Sequence, residues 1–156
     1  MRMRNNSGFS LGELITIMGI ISVLAVIAVP NMIGWRSGKQ IQGALENLRG
    51  DLQMAKLKAV QENGPVAVLF ASNGYQVFID NGANEGAYDA GERLLKDRQL
   101  PSGVSIDLFA TGFGGLGYAR FNTRGLPENT GSVVVDSSNG DQRIVGLNRI
   151  GRVNIQ

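Results

Sequence analysis

Side chains that commonly take part in chemistry are scarce in this 156-residue chain, which contains neither cysteine nor histidine. These two residues supply the usual zinc ligands, the thiol nucleophiles and the base of Ser-His-Asp triads, so all three arrangements are excluded. General acid–base catalysis near neutral pH would need a carboxylate or lysine with a shifted pKa. We therefore expect that the protein is not an enzyme.

Oxygen-bearing side chains recur at near-alternate positions between Asp80 and Glu92. Such spacing can bring several oxygens around one hard cation, as in calcium-binding loops. An EF-hand is not predicted, because Glu85 stands where that loop needs glycine. Two interpretations stay open, a structural calcium site formed by Asp80, Asn84, Asp89 and Glu92, and a solvated turn without a metal. Apart from this calcium, the sequence predicts no cofactor.

One carboxylate, Glu13, lies near the start of a long apolar segment, residues 9–29. A helix of that length would extend about 31 Å, enough to cross the hydrocarbon core of a bilayer. Arg2 and Arg4 precede the segment. The positive-inside rule then places the N-terminus in the cytoplasm. We expect a single-pass protein in which the residues after Pro30 lie outside the inner membrane.

A carboxylate in a membrane helix costs about 2.5–3.5 kcal/mol at the bilayer centre and less near the interface, so it needs a positive partner. If the chain were cut between Gly8 and Phe9, the new α-amine would lie four residues before Glu13. An acid in the first helical turn also complements the helix dipole. The same pairing between neighbouring subunits would set the axial register of a packed helical array.

Residues 8–14, followed by the apolar run to Pro30, resemble the N-terminal signal of type IV pilins and type II secretion pseudopilins. The resemblance implies that a prepilin peptidase cleaves the chain after Gly8 and methylates the new N-terminal residue, Phe9. It also implies that Glu13 acts in assembly and that Pro30 bends the helix.

Three other interpretations of the apolar segment stay open. A plain single-pass anchor would explain its hydrophobicity but would leave Glu13 without a role. A secretory signal peptide cleaved after Ala28 would give a mature chain that begins at Val29. A buried core helix would carry its apolar residues on one stripe, whereas here they surround the axis.

Beyond Pro30, apolar residues recur at helical spacing to about Glu62, and residues 63–65, Asn-Gly-Pro, end the pattern. The periodic positions are Ile41, Ala44, Leu45, Leu48, Leu52, Ala55 and Ala59. The remaining sequence alternates apolar runs with turn residues, which is typical of strands joined by short loops. We predict an α+β, pilin-like fold, in which a long N-terminal helix with a membrane-spanning first half packs on an antiparallel β-domain of about seven strands.

The predicted organisation has four parts. Residues 1–8 form a prepilin leader, and residues 9–29 form a transmembrane helix that would also build a filament core. Residues 30–62 continue this helix in amphipathic form, and residues 63–156 form the globular β-domain.

The C-terminal half resembles the H-type pseudopilin group, which also contains the FimT-like minor pilins. The segments that carry the resemblance are Val77–Asp80, Gly91–Leu95, Phe121–Gly125 and Arg149–Val153. It implies a minor subunit of a type II secretion system or a type IV pilus that assembles into or caps a periplasmic filament. The expected partners are other pilin or pseudopilin subunits, the prepilin peptidase and inner-membrane lipid.

The arginines Arg149 and Arg152 raise an alternative function, a FimT-like minor pilin that binds DNA for uptake. Some such pilins bind DNA through a Gly-Arg-x-Arg tail. Here the match is partial, because Asn154 replaces the second arginine and removes one phosphate contact. The net charge of +2 does not by itself indicate nucleic-acid binding. Solvated charges that deter pairing at strand edges are the favoured interpretation.

Overall fold

The computed structural model of the chain describes residues 8–156, with the side chains of residues 29–34 excepted. Of the predicted leader, only Gly8 falls among the described residues. The chain divides into two compact units, one ending at Arg36 and the other comprising Ser37–Gln156. Helix α1 (Leu11–Gln61) contributes residues to both units.

The backbone of α1 is helical at Pro30 and at four later glycines, residues 34, 38, 43 and 50. Proline removes a helical hydrogen bond, and each interior glycine costs about 1 kcal/mol relative to alanine. The helix nevertheless continues through Pro30 without a break. The bend stays a prediction, since the Pro30 side chain lies outside the described residues.

The second half of α1 buries the predicted apolar stripe, and each of its seven residues is at most 4% exposed. The stripe consists of Ile41, Ala44, Leu45, Leu48, Leu52, Ala55 and Ala59. Burial of one leucine side chain is worth about 1.5–3 kcal/mol, so the three leucines outweigh the cost of the glycines. The amphipathic helix predicted for this region is confirmed.

The C-terminus of α1 ends in a Schellman motif, in which backbone amides beyond the last turn satisfy free carbonyls. The Gly64 amide donates to the Ala59 carbonyl at 3.2 Å, and the Asn63 amide donates to the Val60 carbonyl at 3.3 Å. Asn63 adopts the left-handed conformation that this motif needs, with φ of 47°. The predicted stop of the helix is therefore confirmed.

Eight strands follow in two four-stranded sheets, one more strand than the approximate number predicted. The strands are β1 (Val66–Ala71), β2 (Gly74–Ile79), β3 (Leu94–Gln99), β4 (Val104–Gly112), β5 (Tyr118–Phe121), β6 (Gly131–Ser137), β7 (Gln142–Leu147) and β8 (Val153–Ile155). The first sheet has the order β3-β2-β1-β5, and the second has the order β4-β6-β7-β8. Every pairing is antiparallel, as predicted.

The two sheets and the second half of α1 share one hydrophobic core. Phe70 of β1 stacks on Phe113, with ring centroids 5.6 Å apart. Val133, Val135 and Val145 of the second sheet are at most 1% exposed within the same cluster. Because this core lies entirely within residues 41–155, the second unit has its own apolar interior.

One charged residue, Asp51, lies within the buried side of α1 and is 4% exposed. It accepts hydrogen bonds from the Tyr75 hydroxyl at 2.7 Å, Lys96 Nζ at 2.7 Å and Arg98 Nε at 2.8 Å. Burial by itself would raise the pKa of Asp51, but these three donors outweigh it and hold the pKa below its usual value of 3.8. Lys96 and Arg98 belong to edge strand β3, so the cluster joins that edge to the helix.

Replacement of Asp51 with asparagine should lower the free energy of unfolding at pH 7 by about 3 kcal/mol, because two cations lose a buried partner. Since the pKa of Asp51 is lower in the folded state, its contribution exists above pH 3.8 and fades as the pH falls through the folded pKa. Urea unfolding of the full chain in detergent should therefore give wild-type and Asp51→Asn curves that converge in acid. Asp97→Asn, an exposed change on the same strand, is the control. Equal stability of both variants at pH 7 would contradict the assignment.

Candidate functional site

The start of α1 is closed by a reciprocal pair of hydrogen bonds between Ser10 and Glu13. The Ser10 amide donates to Glu13 Oε2 at 3.0 Å, and the Glu13 amide donates to Ser10 Oγ at 3.2 Å. This is a capping box, which satisfies two amides that the first helical turn leaves free. The carboxylate also lies at the positive end of the helix dipole. Glu13 is thus held by its own helix before any partner approaches.

The Ser-x-x-Glu spacing before an apolar run is a known signal of a capping box, and the sequence interpretation above missed it. The Phe9 amine, which is the predicted partner of Glu13, becomes a free amine only after cleavage. Phe9 is 80% exposed and precedes the first helical residue. The structure thus places Gly8, Phe9 and Glu13 at one helix end, while their roles in cleavage, methylation and assembly stay predictions.

The apolar part of α1 is exposed on all sides, because every side chain from residue 9 to residue 28 is exposed. Within it, Leu11–Ala28 is long and apolar enough to span a membrane. Its hydroxyls bond to the helix itself, Thr16 Oγ1 to the Gly12 carbonyl and Ser22 Oγ to the Met18 carbonyl, both at 2.8 Å. In hydrocarbon, polar groups need such internal partners. This surface therefore suits lipid or neighbouring apolar helices.

The predicted calcium ligands divide between two places in the loop after β2. Asp80 is buried, and its Oδ2 accepts from Arg120 Nε at 2.5 Å and from the Gly86 amide at 3.0 Å. Asn84, Asp89 and Glu92 form a separate set of contacts around the next turn. Asp80 therefore pairs with the Arg120 guanidinium and lies apart from the other three proposed ligands.

The carboxylates of Asp89 and Glu92 accept hydrogen bonds from backbone amides and from one side-chain amide. Asp89 Oδ2 accepts from the Ala83 and Asn84 amides at 3.1 and 3.0 Å, and Asp89 Oδ1 accepts from Asn84 Nδ2 at 2.9 Å. The two oxygens of Glu92 accept from the Gly82 and Asp89 amides at 2.7 and 2.8 Å. The residues that the structure describes contain no group of three or more acidic side chains arranged to hold a metal. Calcium binding stays a prediction.

The same loop covers the outer face of the first sheet. Tyr88 packs edge-on against Phe78, with ring centroids 5.3 Å apart, and Phe78 is fully buried. Ala67, the partner of Phe78 in the β1–β2 register, is also fully buried. Arg120 links this loop to strand β5, a role that the sequence did not reveal because Asp80 lies 40 positions away. The loop therefore covers the outer face of the first sheet and connects it to β5.

Arg149 and Arg152, the predicted DNA contacts, are exposed around the turn before β8. Asn148 Oδ1 holds this turn by accepting from the Ile150 and Arg152 amides at 3.2 and 2.8 Å. Lys56 Nζ donates to the Ile150 carbonyl at 3.4 Å, which adds a third cation beside them. DNA binding through these residues stays a prediction.

Comparison with known proteins identifies relatives along most of the chain. Residues 44–151, more than half of the sequence, match the family described as Type II transport protein GspH. The chain is also similar to Pilin-like protein PilA1 of Thermus thermophilus. The two are 26% identical over 157 residues, which cover 96% of this chain and 97% of that protein.

Solved structures of minor subunits share the fold. The minor pilin FimU of type IV pili in Pseudomonas aeruginosa PAO1 superimposes with a TM-score of 0.59 at 14% identity, covering 78% of this chain and 92% of FimU. The minor pseudopilin EpsH of the Type 2 Secretion System of Vibrio cholerae gives a TM-score of 0.56 at 9% identity, covering 74% and 94%. At these identities the likeness concerns the fold alone.

Removal of the serine cap should loosen the first helical turn. Ser10→Ala should cost about 1 kcal/mol, so the Glu13 amide should exchange with solvent deuterium about fivefold faster. Hydrogen-exchange measurements on the full chain in lipid nanodiscs would detect this change. Ser22→Ala, which removes a hydroxyl that serves no amide, should leave the exchange unchanged. An unaltered Glu13 rate in Ser10→Ala would contradict the capping box.

Proposed function

Because this chain belongs to the GspH family of type II transport proteins, we propose that it is a minor pilin-like subunit stored in the inner membrane and built into, or placed at the tip of, a periplasmic filament. The protein is a minor pilin or pseudopilin of a type II secretion system or type IV pilus. Anchoring, processing and position in the filament are the parts that we infer.

The observation that carries the proposal is the single carboxylate at the start of the exposed and largely apolar first half of α1. A membrane anchor has no need of Glu13, and an acid in this position raises the cost of insertion. The capping box lowers that cost, because the Ser10 amide already donates to the carboxylate. The capping box supplies hydrogen bonds but no positive charge, so a cation can still pair with Glu13.

Cleavage between Gly8 and Phe9 would supply that cation, since the new α-amine is positively charged near neutral pH. The amine would arise directly beside the capping box, and methylation would keep its charge. In a filament the amine of one subunit would meet Glu13 of its neighbour. Apolar helices would at the same time replace lipid around residues 9–29, so leaving the bilayer would not expose apolar surface to water.

The β-domain would provide the outer contact surface of the subunit, anchored to the helix by the shared core and by the Asp51 cluster. We infer that the protein acts through assembly and not through catalysis, as its family consists of structural subunits. This inference is supported by the sequence, in which the cysteine and histidine that most catalytic constellations use do not occur.

Replacement of Glu13 with glutamine tests the role of its charge separately from its role in the capping box. Glutamine can form a capping box as glutamate does but carries no charge. We therefore expect Glu13→Gln to be cleaved to a mature chain that begins at Phe9 and to stay in the membrane, but to enter filaments at least tenfold less than wild type. Mass spectrometry of the mature chain and immunoblotting of sheared filaments would measure both.

Thr16→Val is the matched control, because it changes polarity one turn further along the same exposed helix without altering charge. It should be cleaved and incorporated normally. Normal incorporation of Glu13→Gln would contradict the charge role and leave only a capping role for this residue. A wild-type chain that keeps its first eight residues where the peptidase is active would contradict the proposed processing.

A further inference from the structure

A groove of about 680 Å³ opens between the second half of α1 and the last strand of the second sheet. Its lining is mostly polar: Ile155 of β8 is partly exposed there, whereas Ile41, Leu45 and Val153 belong to the core and are at most 6% exposed. The groove runs along β8, since consecutive residues from Val153 to Gln156 line it. All of these residues belong to the second unit.

Strand β8 presents an unpaired edge. Within residues 8–156, it is the terminal strand of its sheet and pairs with β7 alone. Ile144 and Gln156 exchange both backbone hydrogen bonds, at 3.1 and 2.8 Å. Bonded pairs alternate along an antiparallel ladder, so Val153 and Ile155 direct their amides and carbonyls away from β7. These two residues therefore offer a template for another strand.

Two arginines give the groove a charge preference. In the described part of the chain, the Arg143 side chain has no ion-pair partner, and it lies in the groove wall. Arg49 meets Glu46 at 3.9 Å, with both side chains about half exposed, an arrangement worth little. Both guanidinium groups are therefore available to a carboxylate, which they can bind through paired hydrogen bonds.

We propose that this groove binds an extended, carboxylate-bearing segment of a neighbouring pilin-like subunit, which adds to β8 as a fifth strand of the second sheet. Strand addition uses backbone hydrogen bonds for affinity and side-chain pockets for specificity. An added strand would pair with the free amides and carbonyls of Val153 and Ile155 and place one carboxylate beside Arg143. A nucleic acid would match the arginines but would leave the backbone groups of β8 unpaired. Only the identity of the partner rests on the proposed function.

The test uses the purified full chain in nanodiscs and a phage-displayed library of random heptapeptides as the probe. We expect enriched peptides that contain residues of high strand propensity and at least one carboxylate. Resynthesised peptides should lose affinity at least tenfold for Arg143→Glu and several-fold for Arg143→Gln. Arg124→Glu, which reverses an exposed arginine outside the groove, should change affinity less than twofold.

Backbone N-methylation of the peptides tests strand addition directly. Methyl groups at alternate positions should abolish binding, and those at the intervening positions should be tolerated, because only alternate amides would face β8. Failure to enrich any peptide, binding indifferent to both Arg143 variants, or tolerance of every methyl group would overturn the proposal. Self-association of the chain through the groove, or displacement of the peptide by single-stranded DNA, would overturn it as well.

The filament assay and the peptide assay test the two proposals separately, so either proposal can be refuted without the other. Glu13→Gln should bind the selected peptide as wild type does, although it enters filaments at least tenfold less. Arg143→Glu should be cleaved and inserted normally, because its substitution lies far from the leader in the sequence.

Discussion

The contact between the apolar stripe of α1, residues 41–59, and the inner faces of both sheets is the interaction on which the β-domain depends. The two sheets are separate hydrogen-bonded units, and their core residues belong to one cluster with this stripe. Burying the stripe supplies the apolar contact that a four-stranded sheet cannot obtain alone. The Asp51 cluster adds direction, because its three donors fix which residues of the first sheet face the helix.

The same helix meets a different requirement in its first half. There the side chains are exposed on all sides, and the hydroxyls of Thr16 and Ser22 bond to the helix backbone. A continuous helix thus carries one surface suited to hydrocarbon and another suited to a protein core. The capping box formed by Ser10 and Glu13 satisfies backbone amides at the N-terminal end of this first half. Glu13, the one charged residue between positions 8 and 28, lies where the proposed assembly would use it.

Local patterns in the sequence predicted the helix and the presence of strands, but they did not predict contacts between residues distant in the sequence. The stripe from Ile41 to Ala59 was predicted at its observed positions, because periodicity depends only on neighbours. Asp51 interrupts that stripe, and its partner Lys96 lies 45 positions away, so no local signal reveals the pairing. The division into two sheets likewise follows from long-range pairs such as β1 with β5.

The candidate site shows the same distinction. Glu13 was identified because a lone acid in an apolar run is conspicuous, and the Ser10 cap was available from its spacing. The loop after β2 was interpreted from its oxygen spacing alone. Its acids lie among backbone amides and Arg120, which only the folded chain brings together. The groove beside β8 had no local signal, since it lies between residues about one hundred positions apart in the sequence.

The central claim, that one helix lies in lipid in its first half and outside the membrane in its second, can be tested by labelling single cysteines in a chain that has none. Ile20 and Leu57 are both well exposed in the isolated chain, at 57% and 64%. In cells with a permeabilised outer membrane, we expect an impermeant maleimide to label Leu57→Cys and not Ile20→Cys, with both labelled after detergent extraction. Labelling of Ile20→Cys in intact membranes would contradict this account.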